Sequence, residues 1–178
     1  YECRHGLGYS RFTASKNKIQ AELTAFVPLK ESCEVNRLIL TNHNTTEETI
    51  DLTSYVEFCF WNAVDDSTNF QRNLSLGEVE VEESTIYHKT EYRERRNHFA
   101  YYTVNSPVAG FDTSRDDFLG VYGSIEHPET VYAGISHNSV ASGGAVIGSH
   151  HLKLTLKPGE SKSLIFVLGY SENDPEDK

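Results

Sequence analysis

Apolar and polar residues alternate with a period of two along most of this chain, and that pattern restricts it to sheet. Ile19, Ala21, Leu23, Ala25 and Val27 take every second position, with Gln20, Glu22, Thr24 and Phe26 between them, and the run stops at Pro28. Successive strand side chains point to opposite faces, so each such run offers one face to a core. The pattern returns over residues 37–41 (RLILT) and 50–60 (IDLTSYVEFCF), predicted as a hairpin across the polar turn Asn42-His43-Asn44-Thr45-Thr46. It continues over 78–82, 86–90 and 99–104, then over 152–156 and 164–168, joined by the turn signal Lys157-Pro158-Gly159-Glu160. No segment keeps a helical period. Short strands separated by Gly, Pro and Asn turns predict an all-β fold, an antiparallel β-sandwich.

Between Gly110 and Gly148 the alternation weakens, and a long loop lying on the surface of the sandwich is predicted there. Long loops in compact domains are more often functional or interface-forming than idle. At 178 residues the chain suits one domain with a substantial core. The expected division is a sandwich over 1–170 and the start of a linker over 171–178, where the sequence turns polar around Pro175. The chain opens at Tyr1 and holds no methionine, which reads as a fragment lacking its first strands.

Charge and cysteine usage narrow the partners. Lys and Arg number 16 against 26 Asp and Glu, a formal net charge of -10, so nucleic acid is not an expected partner. Cys3, Cys33 and Cys59 are odd in number and form no CxxC pair, which points to reduced thiols in a cytoplasmic protein. No apolar run approaches the ~20 residues of a membrane helix and no secretory leader opens the chain, so no membrane partner is expected. In that setting the sequons at Asn44 and Asn73 have no consequence.

One stretch is suited to hydroxyl-rich ligands. Residues 61–76 read WNAVDDSTNFQRNLSL and follow directly on an apolar strand. Asn62, Asn69 and Gln71 each carry a donor and an acceptor, and Arg72 offers a planar fork of donors. One reading is a binding loop in which these groups hold a sugar against Trp61 or Phe70. The other is a polar loop whose Asp and Asn side chains bond their own backbone, which spacing alone favours. Asp65 and Asp66 are adjacent and would face oppositely on a strand, so a glycosidase-type carboxylate pair is not expected from them.

Tyr92-Arg93-Glu94-Arg95-Arg96-Asn97-His98 is a basic cluster that could read a phosphate, a sugar or an acidic partner surface, or form an ion-pair ladder with the strand bearing Glu78, Glu80 and Glu82, the plainer explanation. His150 and His151, at the start of a strand, face opposite sides and are not expected to share a metal. His5 reads as a loop residue. GxSxG, P-loop and GxGxxG signals are absent.

The strings YECRHGLGYSRF, WNAVDDSTNFQRN, GEVEVE, IYHKTEYRERRNH and GFDTSRDDFLG, in this order, closely resemble the N-terminal region of bacterial cellobiose phosphorylases. These are inverting glycoside phosphorylases, related to the chitobiose, laminaribiose and cellodextrin enzymes. The resemblance covers nearly the whole chain. It implies a supersandwich of antiparallel strands, part of a larger enzyme whose active site lies in a helical barrel, and a cytoplasmic homodimer. The implied reaction is phosphorolysis of cellobiose to α-glucose 1-phosphate and glucose. Phosphate is a co-substrate, no cofactor is implied, and the catalytic acid lies in the barrel, so no catalytic residue and no activity are expected of this stretch alone. Carried onto matching positions, Asn62, Asn69, Gln71 and Arg72 line the acceptor-sugar subsite, Arg72 as a direct donor, while Asp66 and Thr68 hold the loop. Relatives carry a bulky residue near Gly143-Gly144-Ala145, where this chain reads SGGAVIGSH, so contacts from that loop are expected to differ. The alternative is a non-catalytic carbohydrate-binding or dimerisation module, which predicts exposed aromatic platforms on a sheet face. An autonomous hydrolase using Asp65 and Asp66 ranks last.

Overall fold

The computed structural model describes residues 1–58, 64, 77–90, 98–143 and 145–174. Strands dominate, in the order β1 (Glu2–Gly6), β2 (Tyr9–Lys16), β3 (Ile19–Phe26), β4 (Cys33–Asn42), β5 (Glu48–Thr53), β6 (Val56–Glu57), β7 (Gly77–Glu82), β8 (Thr85–Thr90), β9 (His98–Val104) and β10 (Gly110–Ser114). Two five-residue helices follow, α1 (Arg115–Leu119) and α2 (Glu129–Ala133), then β11 (Val146–Leu156) and β12 (Ser161–Glu172). The paired strands are antiparallel and form two sheets, as the alternation predicted. The larger has eight strands in the order β1-β2-β3-β4-β12-β9-β8-β7. In the smaller, β11 pairs with β10 on one edge and with β5 and then β6 on the other.

The core lies where the sheets face each other. Leu152, Leu154 and Leu156 of β11 meet Leu40 of β4, Tyr102 and Val104 of β9, and Leu164 and Phe166 of β12, all buried. Even-numbered residues of β11 thus point inward. Odd-numbered Ile147, Ser149 and His151 point to the other face and are buried too, Ile147 against Phe118 and Leu119 of α1 with Tyr55 alongside. Gly148 lets the sheets approach closely: a Cβ there would come within 3.0 Å of the Tyr102 ring and 3.1 Å of Val56.

The predicted hairpin over 37–60 does not form. β4 pairs with β3 and β12 in the large sheet, whereas β5 pairs with β11 in the small one. The polar run between them crosses from sheet to sheet. Asn42 makes the corner: fully buried, it donates to the carbonyls of Leu156 (2.9 Å) and Thr46 (2.8 Å) and accepts from the Asn44 amide (2.9 Å). A polar run at a corner has the composition of a hairpin turn, because both must satisfy exposed backbone groups. Residues 50–60 also break at Ser54-Tyr55, so β5 and β6 are separate. The turn at 157–160 forms as read, with Gly159 at φ +73°, and it too connects the two sheets.

β1 and β2 had no alternation to announce them. β1 is exposed along its whole length, so neither face needs apolar residues. Its pairing with β2 follows from the two-residue connection Leu7-Gly8, with Gly8 at φ +86°. Asn17 and Lys18, both at positive φ, make the next tight turn.

Candidate functional site

Asn62, Asn69, Gln71 and Arg72 lie outside the described residues, as do Trp61, Asp65, Asp66, Thr68, Phe70 and Cys59. The shoulder from which that stretch departs is described. β6 pairs Glu57 with Ile147 and Val56 with Gly148, and the following Phe58 is buried with its ring 5.1 Å from that of His88. Glu57 is fixed from two sides: Arg115 Nε donates to its Oε1 at 3.0 Å, and the Tyr55 hydroxyl donates to the same oxygen at 2.5 Å. Burial, with the adjacent Glu57 carboxylate second, raises the Tyr55 hydroxyl above the ordinary phenol range, so it stays a donor. Arg115 is brought there as the first residue of α1, a helix capped by Ser114 Oγ accepting from the Asp117 amide. Spacing could not suggest this cluster, since Arg115 and Glu57 stand 58 residues apart.

Beside Glu57 and Phe58 a groove of about 580 Å³ opens, walled also by Glu31, Cys33, Glu34, Ala100 and Leu168. Three carboxylates and an apolar floor suit a neutral hydroxyl-rich group better than an anion. Glu34 is itself held by a 2.7 Å hydrogen bond from Asn36 Nδ2.

A second polar centre orders the region predicted as a long loop. Asp112 on β10 is fully buried and takes hydrogen bonds from the His137 amide, the Ser139 amide and the Ser139 hydroxyl, the last at 2.8 Å. Thr113 Oγ1 donates to the Ser139 carbonyl and accepts from the Ala141 amide. Segment 137–141 is thereby sewn to β10. The region that the sequence showed only as weak alternation is an ordered cover of strand, two short helices and tight turns over the outer face of the small sheet.

His88, His150 and His151 are packed into the sandwich. His150 and His151 lie within β11, not at its start, and both are buried. They point to opposite faces: His150 stacks on Tyr102 at 4.8 Å between centroids, while His151 Nε2 contacts Asp51 Oδ1 at 2.8 Å. Burial lowers His88 and His150 to about 4, so both are neutral at physiological pH. His5 lies in β1 rather than in a loop, and its Nδ1 contacts Ser10 Oγ at 2.9 Å. Among the described residues no three His, Cys, Asp or Glu side chains converge as metal ligands, and no helix is long and apolar enough to cross a membrane. Cys3 and Cys33 are free thiols. Residues 91–97 of the basic cluster lie outside the described residues; the described neighbour of the Glu78, Glu80 and Glu82 strand is β8, which places Lys89 opposite Glu78.

The family model described as "Glycosyl hydrolase 94, supersandwich domain" matches residues 1–178. N,N'-diacetylchitobiose phosphorylase from Vibrio proteolyticus is 33% identical over 180 residues, covering 99% of this chain and 22% of that protein. Solabiose phosphorylase from Paenibacillus borealis is 30% identical, covering 98% of this chain and 23% of its own length. The chain therefore spans about a fifth of the length of these two relatives. Among solved structures a polysaccharide lyase shares the fold over 92% of this chain and 22% of its own, with a TM-score of 0.53 at 14% identity.

Proposed function

This chain belongs to the glycosyl hydrolase 94 supersandwich family, and from that membership we propose that it is the N-terminal domain of an inverting glycoside phosphorylase. The observation that carries this reading is the match over the whole chain to two disaccharide phosphorylases that are several times longer. The full enzyme cleaves a β-linked disaccharide, cellobiose first among candidates, with inorganic phosphate to give α-glucose 1-phosphate and glucose. Phosphate is an anionic nucleophile at neutral pH, so no base is needed to activate it, and one carboxylic acid that protonates the leaving oxygen suffices. That acid belongs to the remaining polypeptide. The sandwich, in which β12 runs to Glu172 rather than ending at 170, supports a homodimer and forms part of the acceptor-sugar subsite through Asn62, Asn69, Gln71 and Arg72, and the linker begins after that strand. The protein works in the cytoplasm, without cofactor.

The test is phosphate-dependent release, by the full-length protein, of the α-1-phosphate of the disaccharide's non-reducing sugar, which is α-glucose 1-phosphate when the substrate is cellobiose. Cellobiose, N,N'-diacetylchitobiose and solabiose form the first panel, the last two because the relatives are named for them. Sugar phosphate from one of these supports the reading. Hydrolysis without phosphate, or no reaction with any β-linked disaccharide, overturns it.

A carbohydrate-binding module is the second reading, favoured by the outer face of the large sheet. There Tyr87 stands opposite Tyr101 and 6.2 Å from the Phe99 ring, beside a groove edged by Glu78, Glu80 and Lys89. Titrating the 178-residue chain with cellobiose separates the readings: the domain reading predicts no measurable affinity, the module reading a saturable one.

A further inference from the structure

The polar stretch over 61–76 is bounded at both ends by the same part of the sandwich. Before it, Val56 and Glu57 pair with Gly148 and Ile147, and Phe58 is buried with its ring 5.1 Å from that of His88 on β8. After it, Gly77 opens β7, which pairs with β8 and sets Val79 opposite the same His88. The returning end is held by a six-residue strand, the departing end by β6, which has only two. A strand that short makes too few ladder bonds to fix its own direction. What else holds β6 therefore decides where the chain beyond Phe58 starts.

That support comes from α1. The Tyr55 ring lies 5.0 Å from that of Phe118, its hydroxyl donates to Glu57 Oε1, and Arg115 Nε donates to the same oxygen at 3.0 Å. The helix is itself anchored: Phe118 and Leu119 pack on Ile147, and the Arg115 amide donates to the Ala145 carbonyl at 3.2 Å. With side chains 31% and 30% exposed, Arg115 and Glu57 are screened by water and add little to folding. They add direction instead, because one carboxylate oxygen shared by a guanidinium and a phenol leaves Glu57 few orientations.

We propose that Arg115 is a positioning residue for the acceptor sugar, acting through Glu57 to hold β6 in the orientation from which the stretch bearing Asn62, Asn69, Gln71 and Arg72 meets that sugar. The inference rests on the reading of this chain as part of a phosphorylase and of those four residues as its acceptor subsite. Arg115 needs no contact with substrate for this, since supporting groups act by fixing the groups that do touch it. The effect is one of population: when the tether is lost, the apparent acceptor affinity falls by the fraction to which the binding-competent arrangement falls. An ion pair of this exposure shifts such an equilibrium about two- to fivefold. The α-phosphate donor, bound outside this stretch, should not register the change.

Kinetics of the full-length protein in the synthetic direction test it, with the sugar 1-phosphate and the acceptor of whichever disaccharide it cleaves. Arg115→Ala and the isosteric Glu57→Gln should each raise the acceptor KM about two- to fivefold and leave the KM for the sugar 1-phosphate unchanged. The double variant should go no further than either single one, and Arg115→Lys, which keeps a charge near Glu57, should recover part of the loss. Thr41→Ala, which removes the 2.8 Å hydroxyl contact with Ser161 on the large sheet, is the control: it lowers stability and should move neither KM. An unchanged acceptor KM in both single variants, equal rises in the two KM values, a full Arg115→Ala effect in the Glu57→Gln background, or the same rise in Thr41→Ala overturns the proposal. Any of these in an active enzyme rejects the role of Arg115 and leaves the function standing. A full-length protein that forms no sugar phosphate rejects the function, and this inference with it.

Discussion

Arg115 donates to Glu57 across 3.0 Å and thereby ties helix α1 to β6, the last described strand before the polar stretch over 61–76. Both side chains are about a third exposed, so solvent screens much of the attraction. The predicted coupling between Arg115→Ala and Glu57→Gln in a double-mutant cycle is about 0.5–1 kcal/mol. Tyr55→Phe, which removes the second donor to Glu57, should cost about 1 kcal/mol. Urea midpoints measure all three. A coupling of zero would mean that α1 is held by Phe118 and Leu119 alone.

Asp112→Asn should be more damaging. The amide keeps one acceptor but turns an NH2 group toward donors at His137 and Ser139, in a site with no exposure. A loss of roughly 2–4 kcal/mol is expected, with hydrogen exchange rising first in 134–141. Uniform exchange across both sheets would instead mean that this segment unfolds only with the whole molecule.

The contrast between Asp112 and the β3 run marks what the sequence made legible. Ile19 to Val27 alternates although β3 is only half-buried, with Ala21 as its contact with the described core and Val27 exposed, whereas Leu152, Leu154 and Leu156 alternate because one face of β11 packs on that core. β1 buries neither face and left no such record. Asn42 looked like a turn residue because a corner between sheets and a hairpin make the same local demand on the backbone, and only the distant carbonyl of Leu156 distinguishes them. Asp112, Glu57 and Arg115 have partners 25 to 58 residues away, and such pairings depend on sheet order, which alternation does not encode. Sheet class was thus readable from local chemistry, strand order was not, and the candidate sugar loop was visible only as a composition.

Arg72→Ala in the full-length enzyme tests the acceptor subsite. Losing a charge-assisted hydrogen bond to a sugar hydroxyl should cost about 1.5–3 kcal/mol, roughly 10- to 150-fold in kcat/KM for synthesis. The effect should fall on the acceptor KM, while the KM for α-glucose 1-phosphate stays constant. An unchanged acceptor KM would remove Arg72 from the subsite.

Acid should unfold this sandwich through its histidines. His88 and His150 have folded values lowered to about 4 from an ordinary 6.5, both by burial. Above pH 6.5 each is neutral in both states and costs nothing. As pH falls below 6.5 the unfolded chain takes up protons that the folded core refuses, so stability drops until the folded groups also protonate near 4. The full loss is roughly 3 kcal/mol per histidine. His150→Phe keeps a ring against Tyr102 and removes the titration. Between pH 7 and 4.5 the variant should lose roughly 2 kcal/mol less than the wild type, read from urea midpoints at the two pH values. Carboxylates titrating in the same window act equally on both proteins and cancel in that difference. Parallel losses would mean that water reaches His150 in the folded state and that its charge is tolerated beside Tyr102.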